Sequence, residues 1–296
     1  MKFKQRIELQ TLSRRSMIRP ADFNARLRLH CEILPEYAIE KLQVGEPVRA
    51  PFSLDLIDTL FPDDGSDRGA VGVTWKRTSK PKAEGIFSIA NKGFKSSAGN
   101  SHASELMQCE GLKLTPSHQA ALIAYIQQSV VRFDGDIALL DSRTSEYLER
   151  YMRPYSEWDN CFGDFSIYTH TLRHWLPDLY WGTVFGKAYV DMFGLDCLLS
   201  APAYEVKQLS DEAVYLQLSP NLQDLHDDFD AVQAVRDAVK DHLGRDAFFN
   251  VENAYELRSF HLKGQPPAVN NAFRVPNFEL ISDFFMERPS RTVFHD

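Results

Sequence analysis

The chain is expected to adopt an α+β fold: a mixed, mainly antiparallel sheet with packed helices, forming a single large globular unit. Three observations lead there. Short apolar runs with period-two alternation recur along the chain, and two long segments carry the 3.6-residue helical period. The two kinds of segment do not follow the regular β-α-β order of a parallel sheet. At 296 residues, with 44% hydrophobic and 25% charged, the chain has ordinary globular composition and enough length to bury a large core.

The elements follow in order. Within residues 1–23, Phe3, Ile7 and Leu9 suit a strand and "LSRRSMIRP" a connector. In "NARLRLHCEI", Leu27, Leu29, Cys31 and Ile33 alternate with Arg26, Arg28, His30 and Glu32, the pattern of a half-buried strand. "FSLDLIDTLF" has short helical spacing and "PDDGSDRG" is a loop of turn formers. "AVGVTWK", with Val71, Val73 and Trp75 on one face, and "GIFSIAN" form a strand pair, followed by a polar loop over 91–104. The best-marked helix begins at Thr115 as cap and Pro116 as first residue, with Leu122, Tyr125, Ile126 and Val130 as its apolar stripe. "DIALLDS" returns as a strand, and "AYEVKQLSDEAVYLQLSP" reads as two strands around Ser210, Asp211 and Glu212. A second strong helix turns Phe229, Val232, Val235, Val239 and Leu243 inward and stops at Gly244. The proline-containing tail after Val251 is expected to pack back over the core.

Charge and cysteine content narrow the function classes. With 33 basic and 41 acidic residues the net charge is −8, which disfavours nucleic acid and anionic membrane as partners and suits a basic protein surface. Cys31, Cys109, Cys161 and Cys197 are widely scattered without ligand spacing, so reduced thiols in a cytoplasmic protein are expected. Neither a secretory signal nor a membrane-spanning apolar stretch is visible.

The phosphate-loop and metalloprotease templates each lack a required position. In "DLYWGTVFGKAYVDMFGLD", Gly182, Gly186 and Lys187 hint at a phosphate loop. Only three residues separate the glycines, and Ala188 replaces the hydroxyl that would hold magnesium. The glycines are better read as a turn (Gly182), a helix entry (Gly186) and a helix stop (Gly194), with Trp181 and Phe185 buried. His170 and His174 stand four apart, but Thr171 occupies the place of a metalloprotease's general-base glutamate. Asp178 with Glu205 and Lys207 matches the skeleton of a PD-(D/E)xK metal-dependent nuclease, since Glu205 and Lys207 would share a strand face. Against that reading, the aromatic helix intervenes and the surroundings are acidic. Asp224, Asp227, Asp228 and Asp230 crowd the front of the last helix, more carboxylates than capping requires.

The order of these segments resembles the immunity protein 52 family and its type VI immunity relatives from bacterial toxin–immunity loci. It is carried by the "VGVTW…GIFSIAN" strand pair, the helix "TPSHQAALIAYIQQSVVRFDGDIALLDS", the block "HWLPDLYWGTVFGKAYVDMFG", the strand "AVYLQLSP" and the helix "FDAVQAVRDAVKDHLG". The resemblance covers a domain over 25–250, leaving extensions at 1–24 and 251–296. It implies an α+β protein that binds and neutralises a cognate toxin without catalysis, cofactor or metal. No catalytic residues carry over. The partner is then a toxin with a basic surface, and Asp224, Asp227, Asp228 and Asp230 are the residues expected to contact it. The nuclease reading and an accessory role in a bacterial defence locus stand as alternatives.

Overall fold

The computed structural model describes residues 6–13, 20–44, 47–53, 71–89, 102–110, 114–143, 167, 172, 175–250 and 274–276. The chain enters with β1 (Arg6–Ser13) and α1 (Pro20–Ile33), then β2 (Lys41–Val44), β3 (Val71–Arg77), β4 (Ala83–Ile89) and β5 (Ala103–Glu110). Helix α2 (Pro116–Arg132) leads to β6 (Gly135–Arg143), and β7 (Gly182–Phe185) is followed by α3 (Lys187–Phe193) and α4 (Leu195–Leu199). The hairpin β8 (Glu205–Ser210) and β9 (Ala213–Gln217) precedes α5 (Asp224–Asp227) and α6 (Phe229–Leu243).

The nine described strands form one sheet in the order β2-β3-β4-β5-β1-β6-β7-β9-β8, and every neighbouring pair is antiparallel. The α+β expectation holds. Residues 6–13, outside the span of the family resemblance, supply the middle strand. Ile7 through Ser13 are all buried, as are all residues of β7 and β9. Strands buried on both faces need cover on both sides, and the helices provide it. Strand alternation turns Thr11 and Glu105 toward α1 and α2, where Arg26 reaches Thr11 (3.3 Å) and Tyr125 reaches Glu105 (2.6 Å). It turns Asp141 toward α6 and Phe185 toward α3, where Phe185 packs on Tyr189 and Phe193 with ring centroids 5.7 and 5.5 Å apart.

The element expected over residues 24–33 is corrected. "NARLRLHCEI" is not a strand but most of α1. Its buried positions are Asp22, Phe23, Arg26, Leu27, Leu29 and His30, which recur at helical spacing. Three of them are polar: Asp22, Arg26, which lies 4.3 Å over the Phe133 ring, and His30, whose Nε2 bonds the Tyr37 carbonyl at 3.0 Å. A stripe holding an arginine and a histidine is invisible to hydropathy, so the accidental two-residue alternation dominated the pattern.

Helix α2 begins as expected, with Thr115 Oγ1 accepting from His118 N (3.2 Å), and Leu122, Tyr125, Ile126 and Val130 are buried. The β3–β4 strand pair and the β8–β9 hairpin also fall where alternation places them. The segment "FSLDLIDTLF" from Leu54 onward, the "PDDGSDRG" loop, the polar run up to residue 101, His170, His174 and Cys161 lie outside the described residues. Of the tail, Arg274 is described against the core, its backbone N–H donating to Asp246 O (2.7 Å) and its guanidinium 5.2 Å over the Phe193 ring.

The aromatic stretch is structural. Gly182, expected in a turn, instead opens β7 beside Tyr215 and Ile126. Gly186 enters α3 and Gly194 ends it at φ +90°. Gly186 is required by proximity, because a Cβ there would stand 1.8 Å from the Gly135 carbonyl oxygen. Trp181 is fully buried, its Nε1–H donating to Ser219 Oγ (2.8 Å) and its backbone N–H to Asp141 Oδ2 (3.1 Å). Trp181→Ala is therefore expected to lose about 3–5 kcal/mol of stability, read as an early melting transition. Gly186→Ala, by forcing β6 and α3 apart, is expected to fail to give folded protein, checked by soluble yield and circular dichroism.

Candidate functional site

Helix α6 buries more than its apolar stripe. Phe229, Val232, Val239 and Leu243 are buried as expected and Val235 half-buried, while Gln233 and Arg236 are buried beside them. Arg236 has no exposed surface, yet a guanidinium cannot be deprotonated to escape burial. Its Nη2 stands 3.4 Å from Asp141 Oδ2 on β6, and its Nη1 donates to Gln233 Oε1 at 2.7 Å. Asp141 also accepts the backbone N–H groups of Trp181 (3.1 Å) and Ser142 (2.7 Å). One helical turn further on, Lys240 Nζ lies 2.7 Å from Asp178 Oδ1, which accepts the Leu179 N–H as well (2.8 Å). Two ion pairs on one face of α6 thus join it to β6 and to the segment entering β7.

The two carboxylates respond in opposite directions. Burial pushes Asp141 up to about 6, against the pull of Arg236 and two N–H donors. Burial also acts to raise Asp178, but Lys240 and Arg236 together outweigh it and hold its carboxyl below the ordinary value. Asp141's contribution to stability is complete below its unfolded pKa and is lost as pH rises through about 6. Asp178's contribution runs the other way, present above its unfolded pKa and lost on acidification.

The expected contact residues sit where this anchored helix begins. Helix α5 is pinned on two sides. Gln119 of α2 donates to Pro220 O (2.9 Å) and accepts from Leu222 N (2.8 Å), while His226 Nε2 meets Ser142 Oγ at 2.9 Å. Leu225 is buried beneath it. Asp224 is half-buried and accepts the Asn221 N–H (2.9 Å). Asp227, Asp228 and Asp230 are exposed. Asp227 accepts from Gln223 Nε2 at 3.1 Å, and Asp228 holds the N-cap position of α6 without a side-chain cap bond. The four carboxylates therefore fall within seven residues at the junction of α5 and α6, with three of them facing solvent.

The other constellations separate. Asp178 is committed to Lys240, whereas Glu205 and Lys207 are exposed on β8, with β9 standing between β8 and β7. The three do not converge on a common point. Cys197 and His242 approach to 3.8 Å, but His242 Nε2 bonds the Cys197 carbonyl oxygen at 2.9 Å. That nitrogen is consequently the N–H and has no lone pair for the thiol. Among the described residues no group of three or more His, Cys, Asp or Glu is placed to hold a metal ion, and no helix is long and apolar enough to cross a membrane. Sequence reasoning missed Arg236 and Lys240. The available signal was two cations spaced four apart on the apolar side of a helix.

No protein-family model matches the chain, and no curated protein matches it. Among solved structures, it is similar to a T6SS protein of Pseudomonas aeruginosa at 10% sequence identity and a TM-score of 0.44, with 91% of this chain and 88% of that chain covered.

Arg236→Met removes the guanidinium while filling its volume. Because it leaves the Asp141 carboxylate buried without its cation, a loss of about 3–5 kcal/mol is expected near neutral pH. The loss should shrink on acidification from about pH 8 to about pH 5, as Asp141 takes up a proton. Denaturant melts at the two pH values check this. A pH-independent loss would show that the Asp141–Arg236 pair does not carry it.

Proposed function

We propose that this chain is a bacterial immunity protein, which binds and neutralises a cognate toxin in the cytoplasm without catalysis, in a type VI or polymorphic-toxin locus. The observation that carries the reading is the exposed carboxylate row at the α5–α6 junction. It lies on a chain of net charge −8 and is held by a helix that ion pairs fasten to the sheet. Toxins that attack nucleic acids present basic clefts, and a rigid acidic surface blocks such a cleft by charge complementarity. A pre-organised surface loses little entropy on binding. The resemblance in segment order to the immunity protein 52 family supports the same reading, as does the separation of Asp178 from Glu205 and Lys207.

The test is co-expression with the toxin encoded beside it, together with the affinity of the purified pair. Asp227→Lys combined with Asp230→Lys is expected to weaken binding and flatten its salt dependence, because these charges steer association. Both positions lie near the positive end of α6, so the fold is expected to lose only a few tenths to about 1 kcal/mol. Unchanged affinity in the folded double variant removes this surface from the interface. Magnesium-dependent DNA cleavage that disappears in Glu205→Ala would replace the immunity reading with the nuclease one. A folded protein that neither binds nor protects would point to an accessory role in the locus.

A further inference from the structure

The two edges of the sheet are finished differently. The outer side of β2 is occupied: Leu42 N donates to Ala50 O (3.1 Å), Phe52 N donates to Glu40 O (2.9 Å), and Lys41 bridges to Pro51. Strand β8 has only β9 beside it, and no backbone hydrogen bond reaches its outer side among the described residues. An open strand edge presents a row of N–H and C=O groups ready to pair with another strand. The usable edge is short. Pro202 stands before it, Ala203 and Tyr204 lie in a bend, and the β8–β9 register shifts between Gln208 and Ser210, so the regular ladder runs over 205–208.

The side chains on this edge complement themselves. Like charges set directly opposite each other across two strands repel, whereas opposite charges attract. Here Glu205 and Lys207 are opposite charges two residues apart, both exposed and on one side of the strand. Tyr204, 57% exposed, is one of three exposed large hydrophobics among the described residues. If two copies of β8 run antiparallel about a two-fold axis at Val206, Glu205 of each faces Lys207 of the other, so the pair forms twice. Centring the axis on Glu205 or on Lys207 would set like charges directly opposite, which is destabilising. We propose that a second copy of this chain pairs with the first along β8, centred on Val206, continuing the nine-stranded sheet across a two-fold axis. The contact is isologous, as closed dimers require.

A four-residue edge is small for a specific interface, so the dimer is weak, with a Kd of about 10–100 μM. Sedimentation velocity on the full chain from about 5 to about 200 μM reads it directly. The wild type is expected to shift from monomer to dimer across that range. Glu205→Lys alone and Lys207→Glu alone place like charges opposite each other at both pairs, and each should weaken association by about tenfold or more. The combined exchange should restore it to within about threefold of wild type. Circular dichroism of each variant reports the fold, and Glu205→Gln with Lys207→Gln repeats the test without repulsion. A chain that stays monomeric throughout overturns the proposal. So does a dimer that the single reversals leave unchanged, or one that the combined exchange fails to rescue.

Discussion

An arginine with no access to water dictates where the last helix can lie. Arg236 keeps its charge at any physiological pH, so folding must deliver a carboxylate to it or leave an ion in a low-dielectric interior at a cost of several kcal/mol. Asp141 on β6 is that carboxylate: its Oδ2 meets Arg236 and also accepts the Trp181 N–H, while its Oδ1 accepts the Ser142 N–H. Lys240 with Asp178 repeats the arrangement one turn later. Helix α6 has few other positions open to it, because sliding by one residue would break both pairs together. Apolar packing gives α6 its affinity for the sheet, and the ion pairs select its register.

The position of α6 fixes what the surface offers. Its N-terminus lies beside α5, which is held by Gln119 from one side and by Ser142 through His226 from the other. The carboxylates of Asp227, Asp228 and Asp230 are thus displayed on immobilised backbone, not on a free loop. Arrangement matters more than number here, since a protein of net charge −8 has acidic residues everywhere. Among the described residues the same sheet has hydrogen bonds on the outer side of β2 and none on the outer side of β8.

Much of this was legible in the sequence where one local signal sufficed. Thr115 and Pro116 announce α2, Gly244 ends α6, and alternation in "AVGVTWK" and around Asp211 marks strands with nothing to contradict it. Signals failed where burial was polar. Helix α1 hides Asp22, Arg26 and His30 in its buried stripe, so a chance alternation of leucines looked like a strand. The ion pairs failed for a different reason. Asp141 and Arg236 are 95 residues apart, and Asp178 and Lys240 are 62 apart, so their pairing exists only once the fold does. A carboxylate within "LPDLYW" resembles half of a nuclease motif, and the lysine that Asp178 meets in the fold comes instead from α6. The acidic cluster was visible from composition alone, whereas its rigidity was not.

Hydrogen–deuterium exchange on the chain with and without the toxin proposed as its partner tests the central claim most directly, because it locates contact without mutating anything. The account predicts that binding slows exchange in the backbone from Asn221 to about Val232, spanning α5 and the first turn of α6. The centre of the sheet, already protected, should change little. Slowed exchange confined to other surfaces, with 221–232 unchanged in a saturated complex, would contradict the assignment of the α5–α6 junction as the face this protein presents to its partner.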